Sequence, residues 1–236
     1  MLTAAIWGAA FVAQRVGMDH VGPMTFNGVR FALGALALLP FAMKSAGVAE
    51  RPMAPDKALW AALAAGLVLF LGSSFQQWGM VYTTAGKGGF ITGLYVILVP
   101  LLGLFFRQRP GVWSWFGAIM AVVGLYLLSV DGDMNMDWGD VLVLVSAFFW
   151  AGHVLVVGAV APRLNAMRFA CAQYAVCAAP SLVAAFAMET PEIGGILDAG
   201  IPILYGGLMS VGVAYTLQVV AQRDAKPAHA AIILSL

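Results

Sequence analysis

The chain has 236 residues, 62% of them hydrophobic and only 10% charged, with a mean hydropathy of +0.91. A soluble domain carries about a quarter charged residues to cover its surface, so lipid must solvate most of this exterior. The formal net charge of +1 gives no field that would gather nucleic acid, and none is expected as a partner.

A spanning helix needs about 20 largely apolar residues. The sequence predicts an all-α polytopic membrane protein with full spans at 1–18, 23–43, 58–80, 88–106, 112–130, 139–159, 168–188 and 200–222, and a ninth that begins at 228 and meets the chain end at Leu236. The breaks carry Pro, Gly and charge, as at Gly22-Pro23, Glu50-Arg51-Pro52, Arg107-Gln108-Arg109-Pro110 and Asp131-Gly132-Asp133. Residues 1–14 have no basic n-region and no small-residue cleavage pattern, so no cleavable signal peptide is expected.

Taken in order, the spans offer few polar groups, and such groups at membrane depth face a cavity or another helix. The first carries Gln14, and the second Asn27 and Arg30. A buried guanidinium can hold a carboxylate in a two-pronged contact; capping backbone carbonyls or snorkelling outward are the structural alternatives. The third span brings Gln76, Gln77 and the i, i+3, i+7 series Phe75, Trp78 and Tyr82, either a cavity wall with Gln77 beside it or plain packing. In the fourth, Gly89-x3-Gly93 permits close helix contact, Tyr95 is a candidate contact, Pro100 predicts a kink, and Lys87 stands at the mouth as an anion lure or a solvated end charge. Gly117-x3-Ala121 marks a close contact in the fifth. The sixth pairs Trp150 with His153 at i, i+3, the histidine being a titratable group or a hydrogen-bonded core residue. Cys171 and Cys177 in the seventh lie about 120° apart around a helix and read as small core residues, and Pro180 predicts a second kink. The eighth supplies Tyr215 and Gln218, again i, i+3. Together these predict a central cavity lined by the first, third, fourth, sixth, eighth and ninth spans.

Charge sets the orientation. With a cytoplasmic N-terminus, the inside loops hold Lys44, Arg51, Lys57, Arg107, Arg109, Arg163, Arg168, Arg223 and Lys226, and the outside only Lys87. That bias predicts a multi-pass protein of the cytoplasmic (inner) membrane with its N-terminus in the cytoplasm.

The sequence also repeats itself. At an offset of 143, Trp7 matches Trp150, Met24 matches Met167, Phe26 matches Phe169 and Phe31 aligns with Tyr174; at 140, Gly72 aligns with Gly212, Phe75 with Tyr215 and Ala85 with Ala225. A repeat of five spans, an odd number, enters the membrane from opposite sides in its two copies, the inverted arrangement common in secondary transporters. The predicted repeats are 1–130 (spans one to five) and 139–236 (spans six to nine, incomplete).

The run Ile6-Trp7-Gly8-Ala9-Ala10-Phe11-Val12, the second-span run from Thr25 to Leu33 and above all Tyr82 to Gly103, YTTAGKGGFITGLYVILVPLLG, resemble the EamA-domain branch of the drug/metabolite transporter superfamily, and the run from Arg223 to Leu236 is similar to its second-half counterpart. The resemblance implies two inverted five-helix repeats, ten helices in all, around a central cavity, with about one and a half spans beyond this chain. It also implies export or exchange of metabolites, amino acids among them. Relatives often carry an acid after the fourth span; here stands Arg107-Gln108-Arg109, so a role for that acid does not carry over.

No Asp or Glu lies deep in a predicted span, and there is neither an HExxH helix nor a GxxxxGK[ST] loop, so intramembrane proteolysis and ATP hydrolysis are not expected. No metal or cofactor is expected. The sequence thus predicts a secondary transporter of small organic metabolites with no enzymatic activity, its partners a small-molecule substrate and membrane lipid. Two rivals stand beside it: an enzyme acting on a lipid-linked substrate, built on the acidic loop Asp131, Asp133, Asp137 and Asp140, and a receptor or scaffold with a filled interior.

Overall fold

The structure is a computed structural model that describes residues 1–46, 52–107, 110–129 and 137–235. Its regular elements are helices: α1 (Leu2–Gly17), α2 (Pro23–Lys44), α3 (Pro55–Tyr82), α4 (Ala85–Gly93), α5 (Tyr95–Phe105), α6 (Val112–Ser129), α7 (Trp138–Val160), α8 (Ala166–Met188), the short α9 (Ile193–Asp198), α10 (Gly200–Leu204), α11 (Thr216–Ala221) and α12 (Pro227–Leu234). Between α10 and α11 the chain winds as a π-helix, Tyr205–Tyr215. Among the described residues six helical stretches are long and apolar enough to cross a membrane: α2, α3, α4 with α5, α7 with the turn after it, α8, and α10 through α11.

Local chemistry fixes the helix starts. Proline, whose missing N–H costs nothing at a first turn, opens α2, α3 and α12. The side chains of Thr84 and Asn165 cap α4 and α8. The start of α2 is capped from another helix: the Glu189 carboxylate, just past α8, accepts from the Met24 N–H at 2.7 Å, the Thr25 N–H at 2.8 Å and the Thr25 hydroxyl at 2.6 Å. Such a charged cap satisfies orphan donors and complements the helix dipole. Glu189→Gln is accordingly expected to lower stability by about 1–2 kcal/mol, measured as a fall in melting temperature in detergent.

The largely apolar interior also holds polar groups of a kind that a soluble protein seldom buries. Asn27, Arg30, Gln77, His153, Gln173 and Gln218 are buried, while Phe105, Trp113, Phe186 and Ile201 stand exposed. An apolar exterior this extensive faces lipid. α3 lies along α7 and α8, α2 along α8 and the π-helix, α1 along the π-helix, α4 and α5 along α7, and α12 along α5. Glycine permits these approaches: a Cβ on Gly139 of α7 would sit 2.8 Å from the Gly79 carbonyl oxygen of α3, and one on Gly207 would sit 3.0 Å from the Arg30 carbonyl oxygen. Gly117 meets Ile232 of α12 in the same way.

The fourth span breaks at Leu94, while Pro100 lies inside α5 and Pro180 inside α8. The acidic turn is partly buried. Asp140 is buried in the first turn of α7, where it accepts from the Thr83 hydroxyl, from the Asp137 N–H at 3.1 Å and from Lys87 Nζ at 3.4 Å. Lys87 is thereby neither an open lure nor a free end charge; it also lies 3.8 Å from Asp137. Asp131, Asp133, Gln108 and Arg109 lie outside the described residues.

Candidate functional site

The helices leave a cavity of about 430 Å³, lined from α1, α2, α3, α4, α5, α7, the π-helix, α11 and the end of α12. That volume falls in the range of small-molecule sites. Of the residues singled out in the sequence, Gln14, Arg30, Tyr95, Trp150, His153, Tyr215 and Gln218 line it.

Tyr215 is its centre. Its ring lies 4.7 Å from Trp7 and 5.9 Å from Trp150, 6.2 Å from Phe31 and 6.3 Å from Tyr174, with His153 edge-on at 6.1 Å. Four of these five neighbours are the two pairs that align in the internal repeat, Trp7 with Trp150 and Phe31 with Tyr174.

A hydrogen-bonded chain holds one wall. The Gln14 side chain donates to the Ala10 carbonyl at 3.1 Å, and the Gln76 amide donates to Gln14 Oε1 at 2.8 Å. Gln76 Oε1 accepts from Trp150 Nε1 at 2.7 Å and from the Thr92 hydroxyl at 3.4 Å. Four spans are thus joined through one side chain, and Trp150 is held against Tyr215. Gln76→Met is expected to leave the Trp150 N–H and Gln14 Oε1 without partners and to cost about 1–3 kcal/mol, read as a lower melting temperature than Gln14→Met gives.

The other polar groups divide into held and unheld. His153 shares a 2.9 Å hydrogen bond with Gln173. Gln218 donates to Gln222 Oε1 at 2.9 Å, and Gln222 donates to the Val154 carbonyl. Arg30 donates from Nε to Asn27 Oδ1 at 3.0 Å and lies over the rings of Phe26 and Phe31, 5.3 and 5.0 Å from their centroids. By contrast Trp7 Nε1, Tyr95 Oη and Gln218 Oε1 are buried atoms of the lining with no hydrogen-bond partner among the described residues.

Four of the predicted contacts fall off the cavity. Asn27 is buried behind Arg30 and donates to the Ser73 carbonyl at 3.0 Å. Gln77 turns to the α1 backbone, donating to the Gln14 carbonyl at 3.2 Å. Trp78 is half-buried, and Tyr82 at the end of α3 is 64% exposed. Of the aromatic stripe, Phe75 is the packed member, stacking on Phe149 of α7 at 5.6 Å. Trp7, Phe11, Thr92 and Ser210 also lie in the lining without having been predicted as contacts, and of the adjacent pair Gln76 and Gln77 it is Gln76 that lines it; for Trp7 the signal was present, because the repeat pairs it with Trp150.

The chain matches the EamA-like transporter family over residues 1–130 and 137–236. It is 31% identical over 237 residues to a protein of Archaeoglobus fulgidus named "Uncharacterized transporter", covering 100% of this chain and 72% of that one. It is 28% identical to the "Uncharacterized inner membrane transporter YedA" of Escherichia coli K12, covering 87% of this chain and 68% of the relative. A "Probable amino-acid metabolite efflux pump" of Salmonella typhimurium is 28% identical over 161 residues, 64% of this chain and 49% of the pump. A solved crystal structure superposes with a TM-score of 0.79 at 16% identity, over 99% of this chain and 81% of its own, which speaks for the fold alone. An α-helical exterior made for lipid, a chamber among its spans and a family match along nearly its whole length agree: this chain is a multi-pass membrane protein of the EamA-like transporter family, within the drug/metabolite transporter superfamily.

Proposed function

We propose that this chain is a secondary transporter of small organic metabolites, amino acids foremost, working by alternating access in a cytoplasmic membrane with its N-terminus inside and carrying out no chemistry on what it moves. The cavity carries the reading. A receptor or scaffold would have a filled centre, and an enzyme would need acids or histidines gathered at one interface; the lining holds one histidine and, among the described residues, no Asp or Glu.

Two halves of opposed direction, 1–130 and 139–236, fit the packing. If each span is exchanged for the one five later, the α3–α7 contact becomes that of the π-helix with α1, α3–α8 becomes that of the π-helix with α2, α4–α7 becomes α12–α1, and α2–α8 and α5–α12 return to themselves; each of these contacts is present. A site between two inverted halves is where rocking transporters bind their cargo. The name of the Salmonella relative supports amino acids as the substrate class. The test is uptake and counterflow of a labelled amino acid panel in proteoliposomes containing the purified chain. Saturable flux is expected for at least one member; equal fluxes in protein-containing and protein-free vesicles for the whole panel would overturn the reading.

A further inference from the structure

Arg30 is 2% exposed, and among the described residues no acid lies within ion-pair distance of it. Neither structural alternative for such a residue is realised. The side chain does not reach an interface, as a snorkelling arginine does, and its one hydrogen bond goes to the Asn27 side chain rather than to a backbone carbonyl. Ion pairs among the described residues join Arg15 to Asp19 and Lys87 to Asp137 and Asp140, none of them Arg30. Asn27 Oδ1 and the faces of Phe26 and Phe31 cradle the guanidinium, and its terminal nitrogens make no hydrogen bond to the described residues. A buried charge without a counter-ion is costly, and this one borders the cavity.

A second observation points the same way. Two lining atoms without partners, Trp7 Nε1 and Tyr95 Oη, are hydrogen-bond donors, and Tyr95 itself is 7% exposed. Arg30 is also the only fixed cation of the lining among the described residues. The chamber therefore offers one positive charge and spare donors, against a spare acceptor at Gln218 Oε1 and the rings around Tyr215.

We propose that Arg30 binds a carboxylate of the transported solute, the cargo supplying the counter-ion that the protein withholds, while the apolar part of the solute lies on Tyr215 and Trp150. This rests on the transporter reading and narrows it to carboxylate-bearing cargo. Withholding an internal acid keeps the guanidinium free for each new solute, whereas a built-in partner would have to be displaced every cycle.

The test titrates the purified chain in detergent with 3-phenylpropionate and with its amide, then with phenylalanine and phenylalaninamide, following tryptophan fluorescence, since Trp7 and Trp150 face the cavity. Each acid is expected to bind at least about tenfold more tightly than its amide. Arg30→Met should erase that ratio. Asn27→Asp, which places a carboxylate where Arg30 Nε now meets an amide oxygen, should shrink it while retaining the charge; this second variant and the wild-type ratio decide the matter should Arg30→Met not fold. Equal binding of acid and amide, a ratio untouched by both variants, or no binding of either acid would overturn the proposal. Flux in proteoliposomes separates the two readings: acid-selective binding without flux of any solute spares Arg30 and removes the transporter, and flux of amides at the rate of acids does the reverse.

Discussion

Alanine at Gly139 is expected to destabilise the protein by about 1–3 kcal/mol, although it adds a single methyl group. The new Cβ would lie 2.8 Å from the Gly79 carbonyl oxygen, 2.8 Å from the Tyr82 Cβ and 3.1 Å from the Tyr82 carbonyl carbon. All three belong to the backbone or its first side-chain atom, so no rotamer change relieves the overlap, and α7 and α3 must move apart. Their separation would also pull Thr83 from Asp140. Van der Waals fit and interhelical polar contacts are what hold helices together in lipid, so the loss falls on the dominant attraction. Gly124→Ala supplies the control, because a Cβ there meets nothing within 4 Å; in a helix interior it should be neutral or slightly stabilising. Melting temperatures in detergent check the pair. Equal values for the two variants would mean that the α3–α7 approach contributes little.

Removing the Tyr215 ring is expected to have the largest effect on transport. Tyr215→Ala deletes a side chain in contact with five other rings, Trp7, Phe31, Trp150, His153 and Tyr174, and loss of a buried aromatic of this kind costs about 3–5 kcal/mol. The surrounding rings belong to both halves of the sequence, so the wall of the chamber loses its shape on both sides at once, and flux in proteoliposomes should fall at least about tenfold. Tyr215→Phe keeps every ring contact. Its melting temperature should match wild type, and any change in flux then reports on the hydroxyl alone. Comparable flux from Tyr215→Ala and wild type would show that solutes do not pass this ring.

Much of the fold was legible because lipid imposes a strong rule on sequence. Long apolar runs separated by Gly, Pro and charge became helices whose ends lie within about three residues of the predicted ones, as at α2 and α8. The sequence pairing of Trp7 with Trp150 pointed to two rings that both meet Tyr215. The faces of the helices were not. A helix that is apolar all round has no periodic signal to say which side looks inward, so adjacent Gln76 and Gln77, about 100° apart on α3, could not be told apart; one binds Trp150 at the cavity and the other the backbone of α1. The π-helix Tyr205–Tyr215, whose Gly206 and Gly207 lie close against Arg30 and Leu33, has no local signature either. The capping role of Glu189 has no local signal, because its partners at Met24 and Thr25 are more than 160 residues away.

The two acids at the end of the bundle where α2 and α7 begin make unlike latches. Parting α8 from α2 there must strip one carboxylate of three hydrogen bonds in a single event, whereas parting α7 from α3 breaks the Thr83 hydroxyl bond to Asp140, and a flexible lysine from α4 can follow the acid as it leaves. The two seams are thus fastened unequally at this end, the α2–α8 seam by three bonds to Glu189 and the α3–α7 seam by the Thr83 bond to Asp140 with Lys87 beside it.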